Sequence, residues 1–240
     1  MLSLLYLHQS MLLDLLTKLE RFEFVLASSS PRRRDILNSI GIRVLIAPST
    51  FAENLDKSVY AAGELWRYAL DTAEQKALDV QAQRQRSAQG DRDKASRLQS
   101  EIIVSADTIV ESNGLIMEKP AHAEAAFQMI KQLSGRTSQV HTGVVIIPPT
   151  ATNCTPSVVK LHETTIVRFA DLPDDLIRAY VQTGEPMDKA GGYGYQGLAG
   201  SLIAGIDGCY YNVVGFPLHS FCHTIRQMTP QLLANAPPPL

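Results

Sequence analysis

The sequence is poor in cysteine, and the three cysteines it contains form no recognisable framework. Cys154, Cys209 and Cys222 are scattered through 240 residues, and none belongs to a Cys-x-x-Cys pair. Small disulfide-dependent domains contain far more cysteine, and structural zinc sites place their cysteines at short, regular spacings. The composition therefore argues against both classes. It favours a reducing compartment, and we expect a cytoplasmic location.

The chain also lacks a charge excess of either sign and a long apolar run. Lys and Arg number 22 against 24 Asp and Glu, a formal net charge of −2, whereas proteins that coat nucleic acids are normally basic. The apolar stretch 1–19 is interrupted by His8, Gln9, Asp14 and Lys18. It is too polar for a membrane span of about 20 residues, and it has no basic start or cleavage site typical of a secretory signal. We expect no membrane attachment and no stable nucleic-acid partner.

The sequence does contain enough apolar residues for a folded core, in alternating strand and helix patterns. The hydrophobic fraction is 45%, the usual value for globular domains. Strand-like runs lie at 22–27, 101–111, 139–147 and 158–169, and a further short strand is predicted near Val213. Helical patterns lie between them, the longest over 58–82. Interleaving of this kind predicts an α/β protein with a mixed sheet.

One main domain, residues 22–230, is predicted to carry three additions. Residues 1–21 are predicted to form a helical extension, because leucines recur there at helical spacing. Residues 81–100 are rich in charge and have no apolar period, which predicts a solvated surface insertion. An RNA-binding role for its basic residues is the alternative. Residues 231–240, with three consecutive prolines, are predicted to be a flexible tail.

The segment Ser28–Arg34 places positive charge where a helix normally avoids it. Ser30 and Pro31 have the order of an N-cap and a first helical residue, and three arginines follow at once. A helix N-terminus carries partial positive charge, so this cluster is unfavourable unless an anion binds there. Serine hydroxyls, free backbone N–H groups and guanidinium groups together predict a phosphate site. The alternative is a capped helix whose arginines point to solvent.

Asp107 interrupts a run that is otherwise suited to burial, Ile102–Val110. A buried carboxylate is costly unless it is paired or binds a metal. Asp107 could act as a base or hold a hard cation such as Mg²⁺. An edge-strand Asp satisfied by backbone donors is the alternative. The turn Asn113-Gly114 is expected to return Lys119 close to this strand.

The segment Gly184–Gly197 is dense in glycine and also charged. Glycine has the largest backbone entropy to lose on folding, so such a loop is expensive unless it serves close approach to a ligand. Tyr193 and Tyr195 offer ring faces, and the Gln196 amide could hydrogen-bond a base edge. The segment matches neither a Walker loop nor a dinucleotide-binding glycine motif. An ordinary flexible loop remains the alternative.

Together these segments resemble the Maf family of nucleoside triphosphate pyrophosphatases. The resemblance covers residues 24–228, through motifs in the family's order: Leu26–Arg33, Ala106–Thr108, Glu118–Pro120, Val140–Thr142, Gly184–Gly197 and Asn212–Leu218. It implies an elongated mixed sheet flanked by helices, with two lobes around a central cleft. It also implies a homodimer that uses Mg²⁺ or Mn²⁺ to hydrolyse a nucleoside triphosphate to the monophosphate and pyrophosphate.

The branch that this sequence resembles acts on dTTP and UTP. The resemblance implies that catalytic positions fall at Glu53, Lys76, Asp107 and Lys119, and that Glu53 and Asp107 hold the metal. Substrate-binding positions are then Ser28, Ser30, Arg32, Arg33, Thr108, Glu185, Asp188, Lys189 and Gln196. Tyr195 departs from the smaller aliphatic residue that is usual beside Gln196. Three alternatives remain open: a 7-methyl-GTP pyrophosphatase, an enzyme for other modified nucleotides, and a nucleotide-binding cell-division regulator without turnover.

Overall fold

A mixed seven-stranded sheet organises the protein in a computed structural model that describes residues 12–149 and 158–236. The strands are β1 (Glu23–Leu26), β2 (Val44–Ile46), β3 (Glu101–Ser112), β4 (Leu115–Met117), β5 (Thr137–Ile147), β6 (Val159–Phe169) and β7 (Ile203–Asp207). The helices are α1 (Leu16–Leu19), α2 (Pro31–Ser39), α3 (Trp66–Ser87), α4 (Arg92–Leu98), α5 (Ala123–Leu133), α6 (Asp174–Gln182), α7 (Tyr210–Val214) and α8 (Leu218–Ala234). The described helices include none that is long and apolar enough to cross a membrane.

The strand order is β2-β1-β3-β5-β6-β7, with β4 paired to the outer part of β3. β1 is parallel to β2 and to β3, whereas the pairs among β3, β4, β5, β6 and β7 are antiparallel. The predicted α/β class with a mixed sheet flanked by helices is therefore confirmed.

One edge of β3 is shared by two different strands, and the space between them positions the site. β1 pairs with Glu101–Val104, and β4 pairs with Val110–Ser112. In the described part of the chain, residues 105–109 have no strand partner on that edge. Side chains from both faces of β3 can therefore reach this gap, so neighbouring residues with opposite orientations can serve one cleft.

Helices cover the two halves of the long strands separately, which gives the molecule two lobes. In the first lobe, α2 and α8 cover one face of the inner strands through residues such as Leu37 and Phe221, and α3 covers the opposite face through Ala73 and Ala77. In the second lobe, α5, α6 and the glycine-rich segment pack around Ile130 and the outer parts of β3, β5 and β6. The gap along β3 lies where the lobes meet.

The long helix α3 begins at Trp66, so the predicted start at residue 58 is wrong. Residues Lys57–Val59 form a 3₁₀ turn, in which Asp56 accepts a hydrogen bond from the Ser58 N–H at 2.9 Å. Gly63, with φ of 87°, then breaks the helical path. The helix continues to Ser87, beyond the predicted end at residue 82.

Residues around Val213 form the short helix α7, so the predicted strand there is wrong. Buried Asn212 docks this helix on the sheet, donating through Nδ2 to the Val140 carbonyl and to Thr165 Oγ1, both at 3.0 Å. Gly215, with φ of 115°, ends the helix. A buried amide with two sheet partners outweighs the strand propensity of the valines.

The three predicted additions pack as follows in the described residues. Leu12 and Leu19, from the predicted extension, are buried in the core of the first lobe, and residues 1–11 lie outside the described part. Residues 81–100 contain the end of α3, a turn and α4; Arg92, Lys94 and Arg97 are exposed, while Arg84 pairs with buried Glu101. Residues 231–234 of the predicted tail continue α8, and 237–240 lie outside the described part.

Candidate active site

A cleft of about 820 Å³ opens between the two lobes, beside the edge of β3 on which residues 105–109 have no strand partner in the described chain. Its lining includes every residue that the sequence predicted for catalysis or binding: Ser28, Ser30, Arg32, Arg33, Glu53, Lys76, Asp107, Thr108, Lys119, Glu185, Asp188, Lys189 and Gln196. Positive and negative side chains are interspersed along its walls. The charged helix start and the acid within β3 therefore face one cavity, as the sequence predicted.

Arg33 is held at the cleft by three hydrogen bonds from its guanidinium group. Nε donates to the Gly215 carbonyl at 2.9 Å, Nη1 to Ser28 Oγ at 3.1 Å and Nη2 to Thr108 Oγ1 at 3.1 Å. Thr108 is further tied to Thr142 Oγ1 at 2.9 Å. The hydroxyl of Thr108 is thus engaged with the protein framework, and Arg33 presents a fixed positive charge.

The start of α2 leaves donors available to an anion. Ser30 occupies the N-cap position, but its side chain makes no capping hydrogen bond. Ser28 Oγ accepts from the Ser30 N–H at 3.2 Å, which shapes the turn entering the helix. The N–H groups of a first helical turn have no partner within the helix, so an oxyanion can bind them.

The three arginines at this helix start do not share one role. Arg32 lines the cleft and lies 3.6 Å from Asp188 across it. Arg34 points away and pairs with its neighbour Asp35 at 2.9 Å on the surface. The predicted positive charge at the cleft is therefore supplied by Arg32 and Arg33. Arg34 instead points to solvent, as in the alternative given for this segment.

Lys76 connects the two carboxylates that the sequence analysis assigned to a metal. Its Nζ lies 2.7 Å from Asp107 Oδ1 and 2.9 Å from Glu53 Oε1. Lys76 and Asp107 are buried, whereas Glu53 is about half exposed to the cleft. Burial raises the pKa of Asp107 above its ordinary value, against the opposing effect of Lys76 and Arg33. Asp107 is thus a buried carboxylate whose proton affinity exceeds that of a surface aspartate.

Lys119 follows β4 and lines the opposite side of the gap. It is exposed, and it makes no hydrogen bond or ion pair with another residue in 12–149 or 158–236. Its preceding neighbour Glu118 and the buried Tyr68 also line the cleft, and the sequence analysis did not assign them a role. Tyr68 and Lys76 are separated by two successive i,i+4 steps on α3, so their side chains lie on one face of the helix. This spacing was the sequence signal that could have predicted Tyr68 at the cleft.

In the glycine-rich segment, the carboxylate of Glu185 is engaged with the loop itself. Glu185 accepts hydrogen bonds from the Leu198 N–H at 2.9 Å, the Ala199 N–H at 3.3 Å and the Tyr180 hydroxyl at 3.2 Å. A Cβ at Gly197 would lie 2.4 Å from this carboxylate, so a side chain there would displace the Glu185 carboxylate from these partners. Glu185 therefore shapes the wall of the cleft.

The charged neighbours of Glu185 form a pair that faces the start of α2. Lys189 Nζ lies 2.6 Å from Asp188 Oδ1 and donates to the Glu185 carbonyl at 2.7 Å. Asp188 is exposed, and although partial burial would raise its pKa, its hydrogen bond and ion pair with Lys189 lower it overall. The pair brings both signs of charge to the rim opposite Arg32.

The far end of the cleft is aromatic and amide-bearing. Gln196 is exposed in the lining, and Tyr195 beside it packs edge-on against Tyr210 with ring centroids 5.3 Å apart. Tyr210 in turn contacts Tyr211 at 5.4 Å. Tyr193 lines the cleft but is buried and packs against Phe169. Tyr195 and Gln196 are thus the residues placed to meet a flat, hydrogen-bonding ring.

The donors present suit a divalent cation that is shared with a phosphate ligand. Over the described residues, no group of three or more His, Cys, Asp or Glu side chains is arranged to hold a metal alone. Glu53 and Asp107 converge on one point, the Lys76 ammonium. Mg²⁺ is usually held by one or two carboxylates plus waters and substrate phosphates, so these two residues fit such a partial site.

Fold and site together define an α/β protein whose cleft suits a polyphosphate. Arginine and lysine side chains, the main-chain N–H groups at the start of α2 and two carboxylates surround one cavity. The model of the family described as Maf-like protein matches residues 23–228. The chain belongs to this Maf family, which confirms the resemblance inferred from its motifs.

Curated relatives agree with the family assignment. A dTTP/UTP pyrophosphatase of Clostridium perfringens is 40% identical over 196 residues, covering 81% of this chain and 91% of the relative. A dTTP/UTP pyrophosphatase of Clostridium tetani is 37% identical over 205 residues, covering 85% and 97%. A probable bifunctional dTTP/UTP pyrophosphatase/methyltransferase protein of Homo sapiens is 42% identical over 219 residues. That match covers 88% of this chain but 33% of the human protein, so the chain spans about a third of that relative's length.

Proposed function

We propose that the protein is a nucleoside triphosphate pyrophosphatase that hydrolyses dTTP and UTP to the monophosphate and pyrophosphate. The observation that carries the proposal is the cleft in which Arg33 and Lys76 flank Asp107. The relatives named dTTP/UTP pyrophosphatase support the choice of substrate. Triphosphate cleavage depends mainly on positioning and on neutralising charge, and the cleft carries groups for both.

In this proposal, the phosphate chain lies along the start of α2. Arg32, Arg33, Lys76 and Lys119 neutralise its charge, and Ser28, Ser30 and the free N–H groups of the first helical turn bind its oxygens. Gln196 and Thr108 discriminate the base. Asp188 and Lys189 contact the substrate from the opposite rim, and Glu185 keeps that rim in place.

Asp107 takes the proton of the attacking water in this mechanism. Its raised pKa makes it a better proton acceptor than a surface aspartate, and the neighbouring Lys76 ammonium opposes that rise. Glu53 and Asp107 would hold Mg²⁺ or Mn²⁺, which when bound neutralises phosphate charge and polarises the reacting phosphorus. Water attacks the α-phosphorus, and pyrophosphate leaves.

A substrate panel tests the reaction and its specificity together. Release of pyrophosphate and of orthophosphate is measured from dTTP, UTP, CTP, 7-methyl-GTP and modified uridine triphosphates, with Mg²⁺ and with EDTA. We expect metal-dependent pyrophosphate release that is greatest for dTTP and UTP. Preference for 7-methyl-GTP would establish the first alternative, and preference for other modified nucleotides the second. Nucleotide binding that survives EDTA without any turnover would establish the regulator.

Asp107→Asn tests the assigned base. Because the amide keeps the shape of the side chain but accepts no proton at neutral pH, we expect at least a 100-fold loss of pyrophosphate release, within the range typical of general bases of about 10²–10⁴. Binding of dTTP and the native fold should be retained, although loss of the buried ion pair with Lys76 should lower the melting temperature. Wild-type turnover in this variant would remove Asp107 from the role.

The proposal also includes a homodimer in the cytoplasm, both implied by the resemblance to the family. Light scattering coupled to gel filtration measures the oligomeric state, and subcellular fractionation measures the location. A monomer at micromolar concentration that retains full turnover would contradict the dimer without affecting the proposed reaction.

A further inference from the structure

Glu53 lies on the irregular segment between β2 and α3 in an unfavourable backbone conformation. Its φ is 51°, in the left-handed region that residues with a Cβ rarely adopt. Such a conformation persists only where surrounding contacts enforce it, and it is concentrated at functional sites. The direction of the Glu53 side chain toward Lys76 therefore depends on what holds its main chain.

Tyr68, on α3, supplies that contact from the buried side. Its side chain is 2% exposed, and its hydroxyl oxygen lies 3.3 Å from the Glu53 carbonyl oxygen and 3.2 Å from Glu118 Oε1. One hydroxyl hydrogen thus faces two acceptors from segments that are distant in sequence. A phenol hydroxyl carries its hydrogen at neutral pH, so it can donate to either acceptor.

The Glu118 carboxylate, which is the second acceptor, is itself held in place. Tyr68 therefore joins the segment of Glu53 to the segment that follows β4. Glu118 Oε2 pairs with Lys57 Nζ at 2.6 Å, and that ammonium also lies over the Tyr68 ring at 5.7 Å from its centroid. Lys57 belongs to the same segment as Glu53. The segment is therefore held to α3 and to the end of β4 around a single phenol.

We propose that Tyr68 is a positioning residue: its hydroxyl holds the strained main chain at Glu53, so that the Glu53 carboxylate is directed toward Asp107 and Lys76. The inference deepens the proposed function and rests on it, because the proposed function assigns the Glu53 carboxylate to metal binding. Tyr68 is a buried residue of α3 that borders the cleft, and it acts on the carboxylate pair through the main chain of Glu53. Tyr68 should therefore affect the affinity of the Glu53 and Asp107 carboxylates for a divalent cation more than it affects the turnover rate with the cation bound.

Tyr68→Phe tests this inference, because it removes the hydroxyl and keeps the ring. Mn²⁺ binding is measured by electron paramagnetic resonance, with Mn²⁺ alone and with the α,β-imido analogue of dTTP. We expect Mn²⁺ to bind about tenfold more weakly, the lower end of the loss found when a residue that orients a metal ligand is changed. Turnover of dTTP at saturating Mn²⁺ should stay within about threefold of the unaltered protein.

Tyr60→Phe is the matched control. The Tyr60 hydroxyl donates to Asp71 at 3.0 Å, its ring packs edge-on against Tyr68 at 5.6 Å, and it does not line the cleft. It should lower the melting temperature about as much as Tyr68→Phe does, while Mn²⁺ affinity stays within about twofold.

The outcomes separate the inference from the proposed function. Equal Mn²⁺ affinity in Tyr68→Phe and the unaltered protein would overturn the inference, as would an equal loss in Tyr60→Phe or an unaltered protein that binds no Mn²⁺. Absence of pyrophosphate release from dTTP and UTP by the unaltered protein would overturn the proposed function alone, because the binding comparison does not require turnover.

Discussion

At the scale of single residues, the site depends on how each charged side chain is held more than on how many there are. Arg33 and Arg34 are adjacent in sequence, yet one donates to three protein groups at the cleft and the other pairs with Asp35 on the surface. Three consecutive helix positions span about 200°, so Arg32, Arg33 and Arg34 cannot all face one cleft. Composition alone could not distinguish them.

Arg33→Lys should separate geometry from charge. A lysine keeps the positive charge but cannot reproduce three hydrogen bonds in a planar arrangement. Hydrogen bonds to charged groups are worth about 1.5–3 kcal/mol, so we expect kcat/KM for dTTP to fall about 10–100-fold. Arg34→Lys, the control at the neighbouring position, should stay within about twofold. Equal kcat/KM in both variants would show that charge alone matters.

At the scale of the elements, the packing of α3 on β5 sets the distance between Lys76 and Asp107. Gly143 on β5 lies opposite Asp107 in the strand register. A Cβ there would be 2.4 Å from the Leu70 Cα, so the helix backbone lies directly against this strand. Without a side chain at this position, α3 can lie close enough for the Lys76 ammonium to reach Asp107.

Gly143→Ala should therefore move α3 and weaken the fold. Overpacking a closely packed core costs about 1–3 kcal/mol, and we expect a loss near the upper end in the free energy of unfolding measured with urea. Gly90→Ala is the comparison, since its Cβ would meet nothing within 4 Å and its φ of 77° adds only conformational strain of about 1–2 kcal/mol. A smaller loss at Gly143 than at Gly90 would contradict this account of the packing.

At the scale of the whole molecule, the buried histidine His141 gives the fold a pH dependence. His141 is buried; its Nε2 lies 3.1 Å from Glu111 Oε2, and its Nδ1 lies 2.9 Å from Thr164 Oγ1. Burial lowers the pKa of His141, although Glu111 opposes the effect. His162 is exposed at the surface but its ring stacks on Trp66, and partial desolvation lowers its pKa as well. In the unfolded chain these groups bind a proton below about pH 6.5.

The sign of this dependence follows from proton counting. At pH values between the folded-state and unfolded-state pKa of these histidines, the unfolded chain binds more protons than the folded protein does. The free energy of unfolding therefore falls as the pH decreases through this range. We expect the free energy of unfolding to decline from pH 7.5 to 5.5, and His141→Gln to decline less steeply over this range. His223→Gln, at a half-buried position on α8, should keep the slope of the unaltered protein. An unchanged slope in His141→Gln would mean that other groups control stability there.

Much of this architecture was predictable because it depends on local patterns. The alternation of strands and helices, the Asn113-Gly114 turn and the helix after Pro31 each follow from residue propensities over a few positions. The start of α3 and the helix α7 were not predictable in the same way. The buried contacts of Asn212 with Val140 and Thr165 determine α7, and these residues are distant in sequence. The capped turn at Asp56 that precedes α3 is a local contact with Ser58, and the apolar pattern of residues 58–82 does not reveal it.

The motifs around Arg33, Asp107 and Lys119 already carry the family and the chemical groups of the candidate site. How those groups are joined depends on the tertiary fold. On the edge of β3 between β1 and β4, residues 105–109 have no strand partner in the described chain, so that Asp107 and Thr108, which point to opposite faces, line one cleft. Local patterns do not encode this arrangement, because strand register and helix packing arise from contacts between residues distant in sequence.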